Sequence, residues 1–152
     1  MVAGCGGRRF RRILIDPVDL LPGNGACLGV TLDGEPMTAY TPSELYALIN
    51  GGAQIYFDHG WVATALQNYS IDVAGQPVPA TLKLFNQGTE TNATALYDEL
   101  LSIGIWTPIT DWLGSGVAHY RTELFSITLQ YREACFVSDI IVLSTDPAAF
   151  AA

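Results

Sequence analysis

The longest regular alternation in the chain runs over residues 119–131, with Phe125, Ile127, Leu129 and Tyr131 on one side and Thr122, Ser126, Thr128 and Gln130 on the other. Side chains of a strand point to opposite faces in turn, so the pattern predicts one long half-buried β-strand. Polar Arg132-Glu133 then turns the chain, and residues 135–144 return as an apolar strand. Residues 27–32 and 35–40 flank Asp33-Gly34, a dipeptide that tolerates the positive φ angles of a tight turn, which predicts a short hairpin. Residues 69–74 and 81–85 are β-like and are expected to pair across the loop 75–79. Residues 12–16 are β-like and end at Pro17 and the Pro22-Gly23-Asn24-Gly25 break.

Two segments carry the helical period. In Thr41-Pro42-Ser43-Glu44 the threonine can cap the Glu44 N–H, the glutamate can reach back, and the proline stands where no donor is needed. Leu45, Leu48 and Ile49 follow at spacings of three and four, and Gly51-Gly52 can stop the helix, so a helix is predicted over 42–50. Residues 91–103 place Ala95, Leu96, Leu100 and Ile103 on one face, with Thr91 or Asn92 as cap and Gly104 as stop. Residues 53–58 read as a strand or a helical continuation, 61–66 are ambiguous, and 148–152 read as a helical fragment or a frayed end. No repeat, linker or low-complexity tract interrupts the chain. The expected fold is therefore α+β, a mostly antiparallel sheet of about five to six strands with two helices packed on one face. It occupies residues 13–152 as one domain behind a basic arm, residues 1–12.

Composition agrees with a folded body. The chain has 152 residues, 49% of them hydrophobic and 14% charged, which excludes intrinsic disorder. No uncharged apolar run reaches the roughly 18–20 residues of a membrane helix. The net charge of −8 is unevenly laid out. Arg8, Arg9, Arg11 and Arg12 supply four of seven basic residues, so the chain beyond them carries three against all fifteen acidic residues, or −12. Such a body repels nucleic acid. The arm can dock on the body, on a second copy or on anionic lipid, or it can stay solvated.

Met1-Val2-Ala3-Gly4-Cys5 reads like the end of a bacterial lipoprotein signal without its charged and apolar preceding regions, so Cys5 is a candidate for lipidation and membrane anchoring. Cys27 and Cys135 are then a candidate disulfide, with two buried free thiols as the alternative.

The run from Leu45 to Gly60 contains Tyr46, Ile49-Asn50-Gly51-Gly52-Ala53, Tyr56 and Gly60. It resembles the Y-INGGA-x-x-Y-x-x-x-G signature of an uncharacterised bacterial family, DUF6599, and the likeness extends in order over residues 40–145. Gln54, where an acidic residue is common, and Asp58-His59 depart from that pattern. The resemblance implies a secreted or lipid-anchored protein. It implies no activity and no catalytic residue. Asn50-Gly51-Gly52 is explained by a sharp helix end without any ligand.

Chemistry-bearing groups are few. His59 and His119 are the two imidazoles, and with Asp58 and Asp111 they can converge on a metal or an acid/base pair, although no spacing requires it. Trp106 and Trp112 flank Pro108 in an irregular stretch and are expected to be partly exposed, as anchors of a partner or ligand. Gly23, Gly25 and Gly29 have the wrong spacing for a dinucleotide loop, and no phosphate-loop, zincin, hydrolase or zinc-ribbon motif occurs. No cofactor or metal is assigned. The expectation is a non-enzymatic extracytoplasmic domain of the cell envelope or a secreted one, acting through protein–protein contact and self-association. The alternatives are a small-ligand module or enzyme using His59, Asp111 and His119, and a particle or virion subunit, which would place the protein in a virion or the cytoplasm.

Overall fold

The structure, a computed structural model, describes residues 15–111 and 115–144. After a 3-10 turn at Pro17–Leu20 come β1 (Val30–Ala39), α1 (Pro42–Ile49), α2 (Gln54–Asp58), β2 (Ala63–Val73), β3 (Gln76–Asn86), α3 (Glu90–Ser102), β4 (Thr107–Pro108), β5 (Val117–Thr122), β6 (Ile127–Glu133) and β7 (Phe136–Val142). All the strands join one antiparallel sheet in the order β1-β2-β3-β7-β6-β5-β4. The α+β class is as expected. The described residues form seven strands and three helices in place of about five to six and two.

α1 forms as its sequence dictates. The Thr41 side chain accepts from the Glu44 N–H, and Glu44 Oε2 accepts from the N–H groups of Tyr40 and Thr41 at 2.8 and 2.9 Å. Those two donors hold the Glu44 carboxyl below its ordinary pKa. The helix stops where Asn50, Gly51 and Gly52 take φ of 54°, 93° and 67° in succession. A Cβ on Gly51 would meet nothing, so Gly51→Ala carries a conformational cost alone. The expected loss in chemical denaturation is about 1–2 kcal/mol, the left-handed penalty of a residue with a side chain. α2 resolves the segment after Ala53 as helix, and α3 begins at Glu90, just ahead of the expected start, capped by Thr89 Oγ1 on the Asn92 N–H in place of Thr91 or Asn92.

Three strand expectations are corrected. Asp33-Gly34 makes no hairpin. β1 pairs with β2 on both sides of it, Asp33 opposite Asn68 and Met37 opposite Leu66, and residues 34–36 bulge between. β2 is long enough to hold both halves, and Gln67 Nε2 fastens the bulge through the Gly34 carbonyl at 3.0 Å. The second pair, β2 with β3, turns at Ala74-Gly75, so Pro77 and Pro79 stand inside β3. β7 reaches only Pro79, whose carbonyl accepts the Leu143 N–H at 2.9 Å, so the ladder to β7 ends there on a single bond. The long strand over 119–131 is two strands, β5 and β6, folded at residues 123–126. Thr122 stands opposite Ile127 across this four-residue turn, so the two share a face although the alternation had set them on opposite faces. Residues 148–152 and part of 12–16 lie outside the described residues.

The core unites Leu45, Ala53, Tyr56, Ala93, Leu96 and Tyr97 from the helical segments with Ala39, Phe85 and Val137 from the sheet. No helix among the described residues is long and apolar enough to cross a membrane.

Candidate functional site

Antiparallel register sets polar side chains in a row on the core-facing side of the sheet. Lys83 of β3 stands opposite Asp139 of β7, Asp139 opposite Gln130 of β6, and Gln130 opposite His119 of β5. Paired residues project from the same face, one step along from core residues Phe85 and Val137. Gln130 Nε2 donates to Asp139 Oδ1 at 2.8 Å. Tyr97 of α3 closes the row, its hydroxyl 3.1 Å from the Gln130 carbonyl and 2.9 Å from His119 Nδ1. With its single proton on the carbonyl, that hydroxyl accepts from a protonated Nδ1. Burial raises the Tyr97 pKa, and the Asp98 charge adds to it against the opposing pull of Arg132. Burial raises Tyr56 as well, reinforced by Asp139.

The two histidines have separate partners. His59 Nε2 lies 2.5 Å from Glu99 Oε2 on α3, while His119 belongs to the Tyr97 row. Asp58 Oδ1 accepts from Gln54 Nε2 at 2.7 Å within α2, and Asp111 is exposed in the turn after β4. Among the described residues, no group of three or more His, Cys, Asp or Glu side chains is placed to hold a metal ion. Trp106 is partly exposed, its Nε1 donating to the Ile103 carbonyl and the Arg121 guanidinium lying 4.7 Å over its ring. Cys27 is an exposed free thiol and is not joined to Cys135, which is buried and disulfide-bonded. Cys5, Arg8, Arg9, Arg11, Arg12 and Trp112 lie outside the described residues.

A second feature is apolar and on the surface. Ile103 (57% exposed) and Ile105 (90%) follow α3, and Leu124 (80%) and Phe125 (67%) form the β5–β6 turn. Arg121 ties the two loops together. Its guanidinium stacks on Trp106, bonds Glu123 Oε1 at 2.9 Å, and lies where a Cβ on Gly104 would touch it at 3.3 Å. The two loops, each with two exposed apolar side chains, thus adjoin at one corner of an acidic body, with the Arg121 and Glu123 charges paired between them. The opposite edge of the sheet is guarded. On β1, Asn24 Oδ1 accepts the Leu32 N–H at 2.8 Å, Pro36 has no N–H, and Asp33 and Glu35 bring charge to the bulge. These are the usual devices against strand addition.

Sequence reasoning found His119 and Trp106 and missed their companions. Lys83, Gln130, Asp139 and Tyr97 carry no local motif, because only the strand order brings them together. The corner had a weak signal, large apolar residues set around Gly104 and beside Glu123. The alternation instead assigned Phe125 to a buried face. No protein-family model, curated protein or solved structure matches the chain.

Proposed function

We propose that this domain works without catalysis, by protein–protein contact, and that it self-associates through the corner formed by Ile103, Ile105, Leu124 and Phe125. The observation that carries the reading is the exposure of four large apolar side chains in two adjoining loops, since contiguous apolar surface marks interaction sites. Charge favours a protein surface as the occupant over lipid or nucleic acid, because a body of −12 is repelled by anionic polymers and headgroups. Two such bodies repel each other too, so they approach best through a patch where Arg121 and Glu123 cancel. The blocked β1 edge disfavours assembly by strand addition. The disulfide at Cys135 supports an extracytoplasmic setting, in the cell envelope or secreted, since such bonds persist in oxidising compartments.

Sedimentation velocity across protein concentration and salt tests the reading. The native chain is expected to associate more tightly at high salt, where like charges are screened. Ile105→Asp with Leu124→Asp is expected to weaken association at least about tenfold, roughly 1.4 kcal/mol. Leu28→Ser, an exposed apolar residue on the loop before β1, leaves it unchanged. A chain that stays monomeric under every condition, or a double variant that assembles like the native protein, ends the proposal. Assembly that weakens with salt would assign it to the arginine arm instead.

A further inference from the structure

Gln130 is only 4% exposed, yet its Oε1 has no hydrogen-bond partner, while its Nε2 is engaged by Asp139 Oδ1 at 2.8 Å. A primary amide both donates and accepts at one end, and its natural complement is a carboxylic acid, which does the same. A carboxylate only accepts. The present contact is therefore one half of an acid–amide pair, and the missing half needs a proton on Asp139. We propose that Asp139 and Gln130 form a proton-operated joint between β6 and β7. When the carboxyl takes up a proton from solvent, its O–H closes a second hydrogen bond to Gln130 Oε1. Loss of the proton opens that bond and leaves a buried acceptor unpaired.

The surroundings do not fix Asp139 as an ion. Lys83 faces it from β3 and Arg121 acts on it from β5, but the ion pairs among the described residues are His59–Glu99, Arg121–Glu123 and Arg132–Glu90, and none includes Asp139. From the helices the Tyr56 phenol of α2 feels its charge, the Tyr97 phenol of α3 bonds the Gln130 carbonyl, and His119 stands next in the row. Burial raises the Asp139 pKa by more than the Gln130 amide, Lys83 and Arg121 lower it. An acid whose folded pKa exceeds its unfolded value stabilises the fold fully below the unfolded pKa. It loses that contribution as pH rises through the folded pKa. Acidification therefore tightens the joint beneath α3, and neutral pH loosens it.

Two measurements on the full chain test the joint. In a carbon-detected carboxyl titration by NMR, the Asp139 resonance is expected to titrate above the ordinary aspartate range of about 3.9. In chemical denaturation, Asp139→Asn supplies a permanent N–H toward Oε1. Its midpoint is expected to match the native chain in acid and to exceed it increasingly toward neutrality. A titration at or below the ordinary value overturns the proposal, with or without a folded variant. So does a variant that loses stability relative to the native chain as pH rises, which would mean that Lys83 and Arg121 hold a carboxylate there.

Discussion

Phe85→Ala is expected to lower the free energy of unfolding by about 3–5 kcal/mol, the usual cost of removing a buried aromatic ring. Phe85 is 1% exposed, and its ring stacks on Tyr56 with centroids 4.1 Å apart and planes 16° from parallel. On the sheet it stands between Thr64 of β2 and Val137 of β7. Removing the ring takes away the surface on which α2 rests and leaves a cavity that close-packed strands cannot collapse to fill. Domains of this kind have roughly 5–15 kcal/mol to lose, so the variant is brought near unfolding at ambient temperature. Urea denaturation followed by tryptophan fluorescence measures the loss. Phe85→Leu keeps most of the volume and is expected to lose less than half as much. A loss below about 1 kcal/mol for the alanine variant would contradict the packing described for this position.

Gly60→Ala is the second large effect, expected at about 2–3 kcal/mol from two additive causes. The residue sits at φ 74°, where a side chain is strained, and a Cβ there would overlap Asn92 Nδ2. That amide cannot yield freely. It donates to the Gln87 carbonyl at 3.0 Å, and the Asn92 N–H takes the Thr89 cap of α3. The turn between α2 and β2 is thus pressed against the start of α3. A double-mutant cycle with Asn92→Ala separates the causes, since in the Asn92→Ala background the overlap is gone and only the backbone penalty of about 1–2 kcal/mol remains. Strict additivity of the two substitutions would show that Gly60 and Asn92 do not meet.

How much could be read beforehand followed the range of the interactions. The α1 start was legible because every partner in the Thr41–Glu44 box lies within four residues. The same held for the Asn50-Gly51-Gly52 stop. The period-two pattern of 119–131 was correctly β and wrongly continuous, because the turn at 123–126 carries no glycine, proline or asparagine to mark where the chain folds back. Asp33-Gly34 misled in the opposite sense, a true turn signal overruled by a neighbouring strand that pairs on both sides of it. Of the candidate chemistry, His59 and His119 were found as residues, but their partners Glu99 and Tyr97 could not be. Glu99 lies 40 residues beyond His59, and Tyr97 lies 22 before His119.

By itself the amino-acid sequence determined what depends on neighbours a few residues apart: an α+β chain, the capped helix at Pro42, the strand character of the second half, and an acidic body behind a basic start. Tertiary structure alone decided the order β1-β2-β3-β7-β6-β5-β4, and with it the meeting of Lys83, Asp139, Gln130 and His119 across four strands. It also decided that Phe125 is exposed rather than buried. The reason is physical. Hydrophobic period and capping report which way a side chain points relative to its own backbone, whereas strand order and register report which distant backbone lies next to it. Burial, pairing and proton affinity depend on that second fact.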